Sequence, residues 1–115
     1  MSVAVGFIDD IALESHFYEH GSDFGANSPA EYLSMAVHFL ESEIESADVL
    51  ECTRGNGEVI RFNSVTNEFA VVRPDGIIKT YFQPVPFTDR TPDMRVDQFH
   101  EYATNLAYFE EVCES

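Results

Sequence analysis

Four short runs between residues 49 and 82 constrain this chain most: "VLECT", "EVIRF", "EFAVV" and "IIKTYF". Each is rich in β-branched and aromatic residues, the composition of a half-buried pleated strand. The connections are short. Gly-Asn-Gly at 55–57 separates the first two runs, "NSVTN" the next pair and "RPDG" the last. Parallel strands need a crossover of a dozen residues or more, so connections this short predict an antiparallel meander of four strands.

The register follows from the turns. It pairs Glu51 with Arg61, Arg61 with Ala70, Ala70 with Lys79 and Val72 with Ile77. One face then carries the row Glu51, Arg61, Ala70 and Lys79, beside Tyr81. The other carries Ile60, Phe62, Phe69, Val71, Ile78, Thr80 and Phe82. The second face is expected to receive the helices, and the first to meet water or a cleft. A single β-bulge would break this register, and "PDG" turns often carry one. All six Lys and Arg residues fall between positions 54 and 95, so a local basic patch through Arg61 and Lys79 is expected.

Upstream of the strands the pattern is helical. Residues 8 to about 20 place Ile11, Leu13 and Phe17 on a stripe, with acids at the N-terminal end, where the helix dipole favours them. Gly21 is the expected C′ residue. "SPAE" opens a second helix, with Ser28 as N-cap, Pro29 at N1 and Glu31 at N3. Its apolar face is Leu33, Ala36, Val37, Leu40 and Ile44. Residues 84–92 read as loop. The tail from 94 to 113 has helical spacing, which "ATNLAYF" could interrupt. The fold expected for the single domain 1–115 is therefore α+β: two N-terminal helices packed on a four-stranded antiparallel meander, with a helical or irregular C-terminal tail.

Charge limits the partners. The chain carries −15, with eleven acids and no Lys or Arg in its first 53 residues. Such a field opposes nucleic-acid binding unless it is reversed locally. No run approaches the ~20 apolar residues of a membrane span. The N-terminus lacks a basic signal-peptide region, so the chain reads as not self-exporting and with no membrane partner. Cys52 and Cys113 form no metal motif and are expected as two reduced, partly buried thiols, with no disulfide assumed.

"HFYEHGSDFG", residues 16–25, sets His16 and His20 one helical turn apart. Three readings stay open on the residues alone: a zinc pair, which lacks obvious third and fourth ligands; packing at a helix edge, the default; and proton transfer.

The strings "HFYEHGSDFGANSPAEYLSMAVHFL", "NGEVIRFNSVTNEFAVVRPDGIIKTYFQP" and "TNLAYFEEVC" resemble a C-terminal toxin domain of bacterial polymorphic and contact-dependent inhibition systems. That domain belongs to the ribonuclease superfamily that groups barnase, EndoU, colicin E5, colicin D and RelE. The likeness spans residues 13 to 113. It implies metal-independent cleavage of RNA, with tRNA a candidate substrate, through attack of the 2′-hydroxyl on the adjacent phosphate. It implies no cofactor, action in the cytosol, and a cognate immunity protein or antitoxin as partner. The matching site positions are His16, His20, Arg61, Lys79 and Thr80 for catalysis and Tyr81 for stacking on a base. Toxin nucleases are usually basic, and this chain departs from that pattern. The competing expectation is a non-catalytic acidic protein, immunity-like or a nuclease-fold relic, that binds a basic partner.

Overall fold

The computed structural model describes residues 4–114. Helix α1 spans Asp10–His20, and Asp9 caps it by accepting the Ala12 N–H at 2.7 Å. Helix α2 spans Pro29–Glu41, and Ser28 Oγ accepts the Glu31 N–H at 3.1 Å. The cap expected at "SPAE" is therefore present. Four strands follow: β1 Val49–Thr53, β2 Val59–Asn63, β3 Glu68–Val72 and β4 Ile78–Phe82. They form one antiparallel sheet in the order β1-β2-β3-β4. Helix α3, Asn105–Glu114, closes the chain. The α+β meander is as expected.

Gly21 does not end α1 in a left-handed conformation. Its φ is −59°, and the chain runs on as a 3-10 turn, Gly21–Phe24, to Gly25 at φ 69°. The left-handed cap thus sits four residues later, where glycine carries no steric cost. Gly21 serves packing instead, since a Cβ there would lie 2.6 Å from the Phe17 ring. On α1, Ile11 is exposed, and none of the helix's residues is fully buried. The buried face of α2 is Tyr32, Ala36, Phe39 and Leu40, while Ile44 falls beyond the helix and is exposed.

Both faces of the sheet are covered, which corrects the expectation of one open face. Ala70, Val72, Ile78 and Tyr81 pack with Tyr32, Ala36, Phe39 and Leu40 of α2, and Leu13 and Phe17 of α1 lie against that cluster. Ile60, Phe62, Phe69 and Val71 pack with Phe109, with Phe82, Tyr108 and Val112 beside them. The helices α1 and α2 thus lie on the face that carries Arg61. The reason is compositional: Val59, Ala70, Val72 and Tyr81 make that face apolar enough to need a cover, despite its one charge.

The register holds through β3, with Glu51↔Arg61 and Arg61↔Ala70 paired, and then shifts. Val72 pairs with Ile78, Val71 with Thr80 and Ala70 with Tyr81, leaving Lys79 as the extra residue of a bulge. The bulge follows the Asp75-Gly76 turn, in which Gly76 adopts φ 89°. It moves Ile78 to the α2 side and parts Lys79 from Arg61. Lys79 Nζ instead meets Glu58 Oε2 at 2.7 Å, and Glu58 also binds Arg54 at 2.9 Å. The basic patch through Arg61 and Lys79 does not form.

The cysteines are joined, not reduced: Cys52 and Cys113 form a disulfide with Cα atoms 6.1 Å apart. Strand alternation turns Cys52 toward the α3 face, and the last turn of α3 brings Cys113 to it. The bridge closes a loop across a separation of 61 residues. Replacing both by serine should cost about 2–4 kcal/mol, and chemical denaturation with and without a reductant should show the loss in wild type alone. An unchanged midpoint in the double variant would mean that the bridge does not form in solution.

Candidate functional site

A cleft of about 580 Å3 opens along the edge strand β4. The C-terminal end of α1 supplies Tyr18, Glu19 and His20, and the 3-10 turn supplies Asp23. Thr80 and Phe82 of β4 also line it, with Met94, Arg95, Asp97 and Gln98. Thr80, which the expected register turned toward the helices, therefore reaches a site at the sheet edge.

His20 is anchored by contact with the Phe82 ring, with centroids 5.5 Å apart. Its Nε2 lies 3.5 Å from Glu19 Oε2, and its side chain keeps 24% of its exposure. Burial lowers its pKa below the ordinary histidine value, against the raising effect of Glu19 and Asp23. That direction favours the neutral imidazole, the form able to accept a proton. Asp23 shifts the other way. Burial raises its carboxyl pKa, and His20 opposes this.

His16 stands behind His20, with ring centroids 6.0 Å apart, and packs on Phe7 at 5.0 Å. It does not line the cleft. Its Nδ1 is buried with no hydrogen-bond partner. Its pKa is lowered, first by burial and then by His20. A base whose folded pKa is depressed contributes full stability above its unfolded value and loses it as pH falls below that value, because the unfolded chain takes up the proton first. Thermal melts should therefore show Tm falling as pH drops below about 6.5, the unperturbed histidine value. His16→Phe should flatten that slope relative to wild type, and an unchanged slope would assign it to other groups.

The other expected site residues lie elsewhere. Arg61 is 3% exposed. Its Nε and Nη2 donate to Glu51 Oε1 at 2.9 and 2.8 Å, and its Nη1 donates to the carbonyls of Phe39 and Ser42 at 2.9 and 2.5 Å. It satisfies carbonyls at the C-terminal end of α2, where a cation also meets the helix dipole favourably. Tyr81 is 1% exposed and cannot stack on a base. Its hydroxyl donates to Glu68 Oε2, and its carbonyl accepts from the Tyr32 hydroxyl. Burial, followed by Glu68, drives the Tyr81 phenol pKa up. Of the six expected positions, only His20 and Thr80 meet in the cleft. Arg95, which sequence reading left unassigned, joins them, and its Nε lies 3.1 Å from Asp97 Oδ1. Nothing local marks Arg95, since it comes from a loop placed by tertiary packing.

Among the described residues no group of three or more His, Cys, Asp or Glu side chains is placed to hold a metal ion. No helix among them is long and apolar enough to cross a membrane. Fold and cleft define an α+β domain with one imidazole, two hydroxyls, one guanidinium and three carboxylates lining a cleft along its edge strand. No protein-family model matches the chain, and no curated protein matches it in sequence.

Proposed function

We propose that this protein is a metal-independent ribonuclease toxin that cleaves RNA, tRNA being the candidate substrate, in the cleft along β4. The observation that carries the reading is the meeting of His20 and Thr80, two positions of the toxin-like motif, in one cleft beside Arg95. Neutral His20 takes the proton from the 2′-hydroxyl as that oxygen attacks phosphorus. The bond from phosphorus to the 5′-oxygen breaks, and the departing oxygen takes a proton from the Asp23 carboxyl, which lines the same cleft. Thr80 and Arg95 donate to the phosphate oxygens. His16 positions His20 and stays out of contact with substrate, and Arg61 and Lys79 act only through the fold. A disulfide is usual in chains that pass through an oxidising compartment, which suits a toxin delivered between cells to act in a target cytosol. A cognate immunity protein is the matching partner.

The second reading, a non-catalytic protein that binds a basic partner, draws on the cleft's own charge. Glu19, Asp23 and Asp97 line the cleft together with the single guanidinium of Arg95, and a phosphate must overcome them. Incubation with total RNA, with and without EDTA, separates the two. Cleavage that persists in EDTA supports the nuclease. Intact RNA under both conditions, from a folded sample, removes it and leaves the binding protein.

A further inference from the structure

On the α3 side of the molecule a second hollow, of about 460 Å3, shares no lining residue with the β4 cleft. His100, Tyr102 and Tyr108 form its aromatic walls, and Glu101 and Glu111 stand among its lining residues. The His100 and Tyr108 rings stack at 4.3 Å with planes 6° apart, and Tyr102 lies 6.2 Å from Tyr108. The His100 ring is held in place by hydrogen bonds. Asn105 Nδ2 donates to Asn67 Oδ1 at 2.6 Å and to the Pro84 carbonyl at 2.9 Å, which turns Asn105 Oδ1 toward His100 Nε2 at 2.7 Å. His100 Nδ1 accepts the Tyr102 N–H at 3.2 Å. The Nε2–H tautomer is therefore the one that satisfies both contacts, and His100 brings an aromatic face to the hollow.

Among the described residues no Lys or Arg lines the hollow. Each has its contact elsewhere. Arg54 and Lys79 meet Glu58, Arg61 meets Glu51, Arg73 meets Asp75 and Arg95 meets Asp97, while Arg90 lies over the Phe99 ring. Aromatic faces attract a cation through their quadrupole, and carboxylates beside them add direct charge. A guanidinium suits this setting better than an ammonium, because it is planar, stacks on rings and donates two parallel bonds to a carboxylate. An overall charge of −15 favours a basic bearer of that group.

We propose that the hollow between His100, Tyr102 and Tyr108, flanked by Glu101 and Glu111, receives an arginine side chain of a basic partner protein. It is a docking site separate from the RNA cleft, and it stands or falls independently of catalysis. The probe is a capped Gly-Arg-Gly peptide, titrated into the intact chain while the aromatic rings are followed by NMR, with the citrulline peptide as the uncharged counterpart. Saturable shifts at His100, Tyr102 and Tyr108 with the arginine peptide are expected, and much weaker ones with citrulline. Tyr102→Leu and the surface change Glu111→Gln should each weaken binding roughly fivefold, the worth of one exposed cation–π or charged contact. Glu14→Gln, on α1, should leave it unchanged. Equal binding of citrulline, shifts spread evenly over the acidic surface, or equal weakening by Glu14→Gln would overturn the site.

Discussion

Arg61→Ala should lower the unfolding free energy by about 3–5 kcal/mol, the cost of breaking a buried ion pair by removing one partner. Three groups lose their donor together: the Glu51 carboxylate and the carbonyls of Phe39 and Ser42. Two of these lie at the end of α2, whose residues Tyr32, Ala36 and Leu40 are fully buried against the sheet. Loss of the anchor therefore loosens the face that also supports α1 and His20. A domain of this size has about 5–15 kcal/mol in total, so the variant should sit near its unfolding threshold. Urea denaturation measures this directly. Any fall in RNA cleavage by this variant should track its unfolded fraction and recover under stabilising conditions. A folded Arg61→Ala protein of wild-type stability with lost cleavage would instead return Arg61 to the reaction.

His20→Ala should reduce RNA cleavage by ~10²–10⁴-fold, the usual contribution of one general base or acid. Its melting temperature should change little by comparison, because the side chain borders an open cleft and keeps 24% of its exposure, its ring contacts being with Phe82 and His16. His16→Ala should show the opposite balance, since its ring is wedged between Phe7 and His20. Measuring cleavage and thermal stability for both variants tells the roles apart. If both variants keep full cleavage and melt earlier, the two histidines are packing residues.

Local chemistry determined most of the secondary structure. The β-branched runs became β1 to β4 within a residue of their expected limits, and Ser28-Pro29 opened α2, because strand preference, turn residues and helix caps act over four or five neighbours. The pairing of Glu51 with Arg61 and Ala70 was equally legible, since short turns leave a meander little freedom of register. Of the site, the His20 and Thr80 positions could be named in advance.

Only the tertiary structure decided what those residues face. One extra residue at Lys79 redirected β4 and dissolved the expected basic row, a shift that turn composition allowed but could not place. Arg61 looked like a surface charge because the sequence does not show that α2 ends above it, where unpaired carbonyls give a buried guanidinium its partners. Tyr81 passed from a stacking surface to the core for the same reason: the second sheet face was also covered. Arg95 entered the cleft through a loop with no periodicity, and Cys52 met Cys113 only because α3 folds back across the sheet. Contacts between residues far apart in the chain depend on how whole layers pack, and that information is not carried by any short stretch of sequence.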